Sequence, residues 1–531
     1  MTEVRKLSDG NFGFFATRSY KKGEVIVNEA PLFKNNNDDS AIRAQFSDSS
    51  FTSEKSNSKF ALAAKMSSSD SSKKSSAQMS SKIRIGQLRG MVTIAASFAI
   101  SFHQTNEKDM IEKKTQLLSL YHPSLSCQPD ELEYDIVQVA QSALEYCANY
   151  SKPQSPVSIM MSQETTKIEL LKVMLIWACN AFEGGCLYQY SCRINHSCDP
   201  NCIAADNRDN NIQIVKAVCS ISPGDELLIS YLGLFTWVGG SARQKRLLQT
   251  KHFLCQCSRC SSEEIASAIP CPSCHPRQGP GSKYLEEHIQ WDDDDDIKVS
   301  YAFPKNASCD TSSYRGSVCS ESTQYNKSPI LKIGKKVIDK ILNHVESVSG
   351  QALSVAEKIG HEELASINTE IDEQLYQLAS SVLGARHWTT NLMLLSLLDR
   401  LLASFNAIML LGQDLPDMSE LAEAIDSLQR LWKYGSGLSL NMDASFLLYN
   451  QTIGIARTLV ALGDVNSMKY GAEWAGKVED YINNFQGEDM KKVVGALRTA
   501  WERPIDEKSN DQNNMDIDAD ESNRTKKRLK K

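Results

Sequence analysis

Tyr190-Ser191-Cys192-Arg193-Ile194-Asn195-His196-Ser197-Cys198-Asp199-Pro200-Asn201-Cys202 is a poor helix and a poor strand interior. Asn, Ser and Asp compete with the backbone for hydrogen bonds, and Pro removes a donor. Such a run carries functional groups rather than local propensity, so it reads as a site. Downstream, Gly224-Asp225-Glu226-Leu227-Leu228-Ile229-Ser230-Tyr231 is a turn followed by a short apolar strand that ends in a phenol. Cys255-Gln256-Cys257-Ser258-Arg259-Cys260 then supplies three closely spaced thiols.

One of these motifs could arise by chance, whereas three in order form a pattern. Together they resemble the SET domain of protein lysine methyltransferases. The branch most similar is the SET-and-MYND family, through Tyr231-Leu232, Arg243-Gln244-Lys245-Arg246 and Phe253-Leu254-Cys255 as well. The resemblance covers the N-terminal strands and positions 165 to 260. It implies an α+β fold: a mainly-β SET domain with a helical insert and a zinc-bound post-SET segment. The expected activity is S-adenosylmethionine-dependent methylation of a lysine on a protein, histone or non-histone.

The resemblance also assigns roles. It makes Tyr231 catalytic, and it places Asn11, Phe12, Gly13, Asn180, Asn195, His196, Tyr231 and Phe253 around the cofactor. Asn11 stands where the family usually has a glycine. Read without the resemblance, Tyr231 is a core tyrosine closing a strand, Asn180 caps a helix end and Phe253 is core. Cys198, Cys255, Cys257 and Cys260 provide four thiolates, the donor set of a closed tetrahedral structural zinc site. C-x-C-x-x-C alone is also compatible with a redox pair.

Methyl transfer from a sulfonium to an amine is an in-line displacement, so alignment and a neutral amine are what the protein must provide. A free lysine titrates near roughly 10.4. An apolar channel and a neighbouring cation both lower that value, and no strong general base is then needed.

At 531 residues the chain exceeds one ordinary core. Its net charge of −7 gives no global basic field for nucleic acid, and no direct nucleic-acid contact is expected. The N-terminus lacks an apolar signal region, and the most apolar window, Gly90 to Phe102, is shorter than a bilayer span. The expectation is a nuclear or cytoplasmic protein that does not engage a membrane. Fifteen cysteines in such a compartment indicate metal binding or burial rather than disulfides. Cys127, Cys147, Cys179, Cys186 and Cys219 read as core thiols.

Taken in order, residues 1–33 form the N-terminal part of the SET domain, with a hairpin expected from the glycine turns before Val25-Ile26-Val27. Residues 34–82 are an Asn- and Ser-rich disordered insertion without Cys or His, so the MYND zinc finger is absent there. Residues 83–164 are a helical insert, 165–240 the C-terminal part of the SET domain and 241–260 the zinc segment. Residues 261–328 are a linker with an acidic run, in which Cys271 and Cys274, completed by His275, Cys309 or Cys319, are candidates for a second zinc site but read more simply as incidental.

Residues 329–505 are helical in pattern, with Leu392, Leu395, Leu398, Leu401 and Leu402 on one stripe, and are loosely similar to tetratricopeptide helix pairs. Such an array would close the substrate cleft or recruit protein partners. Residues 506–531 are a disordered charged tail whose basic end reads as a nuclear signal or a solvated terminus. The rival reading is an inactive, zinc-stabilised SET-like scaffold, favoured by Asn11 and the missing finger. A relative of the plastid SET methyltransferases is disfavoured by Cys255, Cys257 and Cys260.

Overall fold

In a computed structural model the described residues are 2–7, 12–34, 39–47, 81–103, 107–128, 131–182, 185–207, 212–262, 265–267, 336–342, 344, 361–384, 387–410 and 417–502. Asn11, most of the 34–82 insertion, Cys271, Cys274, His275, Cys309, Cys319 and the 506–531 tail lie outside them.

Three small sheets form the β region. Strands β1 (Thr2–Lys6) and β2 (Phe12–Ala16) pair antiparallel, with Val4 opposite Phe14. Strand β3 (Val25–Glu29) does not form the hairpin with β2 that the glycine turns suggest. It pairs antiparallel with β6 (Ile212–Ala217), which also pairs with β5 (Cys202–Asn207), in the order β3-β6-β5. Long-range burial overrides the local turn, because Val27, Val215 and Ala217 share one core with Phe14, Tyr20 and Ile229. The third sheet joins β4 (Asn195–His196) in parallel to β7 (Leu228–Ile229).

The Gly-Asp-Glu turn closes the free edge of β2. Gly224 has φ +91°, a conformation that favours glycine, and its N–H donates to the Ala16 carbonyl at 2.8 Å. Three residues later the Leu227 N–H donates to the Phe14 carbonyl at 2.7 Å. That pair of bonds brings the strand ending at Tyr231 alongside the N-terminal strands.

After α1 (Asp39–Ala44), the insert consists of α2 (Ser81–Phe102), α3 (Lys108–Leu118), α4 (Tyr134–Tyr150), α5 (Pro156–Met161) and α6 (Glu164–Asn180). Met91, Val92, Ile94, Ala95, Ala96 and Phe98 are all buried, so α2 is apolar around most of its circumference and sits inside its own bundle. By length and composition the stretches Ile85–Phe102 and Trp388–Met409 would both span a bilayer, so the 13-residue window read from sequence understates the first. Protein packing covers 56% of Ile85–Phe102 and 33% of Trp388–Met409. Cys127, Cys147 and Cys186 are buried, as core thiols should be; Cys179 and Cys219 are only partly so.

Helices α7 (Gly240–Lys251) and α8 (Ser258–Ser261) follow the sheets. Beyond the helical segment 336–342 come α9 (His361–Leu383), α10 (Trp388–Leu410), α11 (Met418–Gly437), α12 (Ala444–Ala461), α13 (Val465–Phe485) and α14 (Glu488–Thr499), each packed on the next. Asp417, Asp443 and Asp464 cap α11, α12 and α13 by accepting backbone N–H groups of the first turn. In α10, Leu398 and Leu402 are buried, while Leu392, Leu395 and Leu401 pack against the same core.

This array leans on the β region. The Tyr434 hydroxyl donates to the Trp237 carbonyl at 2.8 Å, Lys216 Nζ to the Asn484 carbonyl at 2.7 Å, and the Asn441 N–H to Asp199 Oδ1 at 2.8 Å.

Candidate active site

The quoted run is tied down at both ends. Glu29 on β3 accepts the Ser191 N–H at 2.7 Å, the Ser191 hydroxyl at 2.6 Å and the Tyr190 N–H at 3.0 Å. At the other end, Asn201 Nδ2 donates to the Glu226 carbonyl and Asn201 Oδ1 accepts the Leu228 N–H, both at 2.8 Å. Between these anchors β4 is held beside β7, with Asn195 reaching Glu226 at the start of the strand that carries Tyr231 and His196 reaching Tyr231 at its end.

Asn195 Nδ2 donates to the Phe12 carbonyl at 3.0 Å and to Glu226 Oε1 at 2.8 Å. The Asn195 side-chain N–H groups are therefore spent on joining three chain segments. Gly13 allows the approach: a Cβ there would lie 2.7 Å from Glu226 Oε1. Phe12 at the same corner is 52% exposed, a bare aromatic ring beside a partly buried polar hub.

His196 Nδ1 accepts the Tyr231 N–H at 3.0 Å, and its Nε2 lies 3.3 Å from Cys198 Sγ. Burial lowers its pKa to about 4, so the ring is neutral at physiological pH. The Tyr231 hydroxyl donates to the Ile194 carbonyl at 2.6 Å, and its ring lies 5.2 Å from that of His196 and 6.4 Å, edge to face, from that of Phe253. Burial raises the Tyr231 pKa, so the phenol keeps its proton and is not a base.

Asn180, the last residue of α6, donates to the Tyr121 and Ile176 carbonyls at 2.8 and 2.7 Å, and its own carbonyl accepts the Cys192 thiol at 3.4 Å. Thus Phe12, Gly13 and Asn195 meet at Glu226; His196, Tyr231 and Phe253 pack on one another; and Asn180 is joined to the motif run through Cys192. Asn11 is outside the described residues.

Cys198, Cys255, Cys257 and Cys260 converge, with all four sulfurs within 4.8 Å of one another, and form a cluster able to hold a metal ion. Cys198 Sγ is 3.9 Å from that of Cys255 and 3.4 Å from that of Cys260. The Cys198 thiol holds Cys257 and Cys260 below the usual thiol range by hydrogen bonding to them. Arg243 Nη2 lies 3.6 Å from Cys260 Sγ, and Arg259 Nη1 donates to the Cys198 carbonyl at 3.1 Å.

Three participants escaped the sequence reading. Glu226 and Asn201 form the hub, and their signal was their place inside motifs already singled out. The third is Lys251 at the end of α7, whose Nζ donates to the Cys179 carbonyl at 3.2 Å and lies 5.4 Å from the Tyr231 ring centroid.

Residues 11–232, which hold Asn195, His196 and Tyr231, match the SET domain family, and the chain carries a SET domain there. Its relatives are of the SET-and-MYND and histone-lysine methyltransferase type. The chain is 39% identical over 80 residues to the SET domain and MYND-type zinc finger protein 6 of Schizosaccharomyces pombe, which covers 15% of this chain and 16% of the relative. It is 31% identical over 112 residues to the histone-lysine N-methyltransferase SMYD3 of Mus musculus, covering 19% and 25%. It is 39% identical over 71 residues to the histone-lysine N-methyltransferase ASHR1 of Arabidopsis thaliana, covering 13% and 14%. The aligned stretches span no more than 25% of these curated relatives' own length.

Proposed function

We propose that the chain is a protein lysine N-methyltransferase that uses S-adenosylmethionine. The observation that carries this is Tyr231, held by its hydroxyl on the Ile194 carbonyl and by its N–H on His196, at the convergence of the motif run and the cysteine segment. When bound, S-adenosylmethionine supplies an electrophilic methyl group on a cationic sulfur. The aromatic faces of Phe12 and Phe253, with the polar groups of Asn180, Asn195 and His196, suit a ligand that combines an adenine ring with an amino-acid end.

In this reading the Tyr231 hydroxyl proton is committed to Ile194, which leaves its oxygen lone pairs to accept an N–H of the incoming lysine amine. The phenol aligns the amine and does not deprotonate it. A partly buried aromatic pocket lowers the lysine pKa, so the neutral nucleophile is the form retained. The substrate is a lysine on a protein, histone or non-histone.

Zinc is the metal that four thiolates fit best. Zn–S bonds of about 2.3 Å at tetrahedral angles place sulfurs about 3.8 Å apart, close to the 3.4 and 3.9 Å between Cys198 and two of its partners. Cys198, Cys255, Cys257 and Cys260 would hold the ion and tie the segment after β7 to the motif run.

On this view residues 1–33 and 165–240 are the SET halves, 83–164 the insert, 241–260 the post-SET segment and 329–505 a tetratricopeptide-like array that recruits protein partners. Nuclear and cytoplasmic sites of action both agree with it.

Calorimetric titration of the full, zinc-loaded chain with S-adenosylmethionine tests the reading, alongside Tyr231→Phe. The expectation is saturable binding in both proteins, with methylation of a histone mixture lost by about a hundredfold or more only in the variant. A folded wild-type chain that binds no cofactor would instead be the zinc-stabilised scaffold.

A further inference from the structure

We propose that Lys251 Nζ is itself a methyl acceptor, so that the SET domain methylates its own chain at the mouth of the substrate channel. The proposal rests on the methyltransferase reading of Tyr231. A lysine that reacts there must bring its amine to the Tyr231 ring, must be free of a carboxylate that would hold it as an ammonium, and must be partly dehydrated. Lys251 meets all three conditions. Its amine is 5.4 Å from the ring centroid and its hydrogen-bond acceptor is a neutral carbonyl, that of Cys179, at 3.2 Å. No carboxylate lies within ion-pair distance of it among the described residues. Burial lowers its pKa, which increases the neutral fraction.

The base of the side chain is fixed while its end is free to adjust. Gln244 Nε2 donates to the Cys255 carbonyl at 2.9 Å and Arg243 Nη2 lies 3.6 Å from Cys260 Sγ, contacts that hold α7 against the cysteine segment. Immediately after Lys251, His252 takes a left-handed conformation with φ 62° and is buried. The buried His252 anchors the chain just beyond Lys251, and the flexible four-carbon stem carries Nζ between the Cys179 carbonyl and the Tyr231 ring. The residue is only partly buried, which leaves a route for the proton to reach solvent.

In the step itself the Nζ lone pair forms the new N–C bond, the methyl–sulfur bond breaks and its electron pair stays on sulfur. The sulfonium becomes a neutral thioether, and the surplus proton on nitrogen passes to water. The methylated amine is bulkier and, in the same protonation state, has one donor fewer, so it narrows the space left for an incoming lysine.

The experiment uses the full chain, zinc-loaded, with trideuteromethyl S-adenosylmethionine and peptide mass mapping. The expected result is label on Lys251 at a rate constant independent of protein concentration, absent from Tyr231→Phe and from Lys251→Arg. A second readout needs no turnover: in the Tyr231→Phe background, Lys251→Met should raise affinity for cationic S-adenosylmethionine relative to neutral S-adenosylhomocysteine by about fivefold or more, because the sulfonium no longer has to displace the proton from the ammonium form of Lys251 as it binds. Cofactor binding and labelled histone with bare Lys251 and an unchanged ratio would overturn the proposal and leave the methyltransferase reading standing. Absence of cofactor binding in a folded chain would overturn both.

Discussion

The two walls that meet at Tyr231 are built on different physics. One is the strand hub, where Asn195, Asn201 and Glu226 cross-link β2, β4 and β7 by hydrogen bonds between 2.8 and 3.0 Å long. The other is the thiol wall, where the chain from Cys255 to Cys260 is brought to Cys198 by four sulfurs and two short helices. Hydrogen bonds are short-ranged and each contributes modestly, so the hub depends on several at once. A bound metal contributes in one event, so the thiol wall should be nearly all-or-none.

Removing metal tests that contrast most severely. Treatment with a strong chelator, or Cys257→Ser, should release the 241–260 segment to proteolysis and lower the thermal midpoint by at least about 10 °C, while the helical insert keeps its ellipticity. Limited proteolysis with mass mapping reads the outcome; a segment still protected after complete metal removal would make the two walls alike.

Acid should weaken the thiol wall next. His252 is buried, its Nε2 has no hydrogen-bond partner among the described residues, and burial lowers its pKa to about 4 from an ordinary 6.5. Above the unfolded value both states are neutral and stability is at its full level. As pH falls from 6.5 towards 4 the unfolded state takes up the proton first, so stability declines by up to about 1.4 kcal/mol per pH unit. Denaturant titrations at several pH values should show this slope added to the one that His196, lowered to about 4 in the same way, contributes, and His252→Gln should remove the first share and leave the second.

Within the hub, Asn195→Ala removes the bonds to Phe12 and Glu226 and leaves a carboxylate oxygen short of a donor, for an expected loss of about 2–4 kcal/mol. Gly13→Ala should cost less, about 1–3 kcal/mol, because a methyl group displaces the carboxylate without deleting a partner. Chemical denaturation of both variants ranks them, and equal losses would mean that the Asn195 bonds contribute little.

What could be read in advance divides along the same line. Cys198, Cys255, Cys257 and Cys260 were identifiable because the resemblance to a SET domain adds Cys198 to a C-x-C-x-x-C run that alone also suits a redox pair, and their sulfurs do converge. The motif run and the strand ending at Tyr231 were identifiable because their residue types defeat propensity, and residues 11–232 match a SET domain. The hub was not. Glu226 looks like an ordinary turn carboxylate, and nothing local says that it faces Gly13, more than two hundred positions away.

The β3–β6 pairing failed for the same reason, since a glycine turn advertises a hairpin and only tertiary burial cancels it. Lys251 carries no distinguishing signal in the sequence, because basic residues are common at a helix C-terminus.

The partner of β3 has a consequence for biosynthesis. Val27 pairs with Val215, so the strand leaves the ribosome long before its mate. At about 5–20 residues per second, the intervening stretch takes roughly ten to forty seconds to translate. Throughout that time Val25-Ile26-Val27 has no native sheet to join. The charged residues around it, Lys21, Lys22, Glu24 and Glu29, are the kind that keep an unpaired nascent strand from joining a neighbouring polysome's copy. The insert's helices, built from nearer contacts, complete their own bundle in that interval.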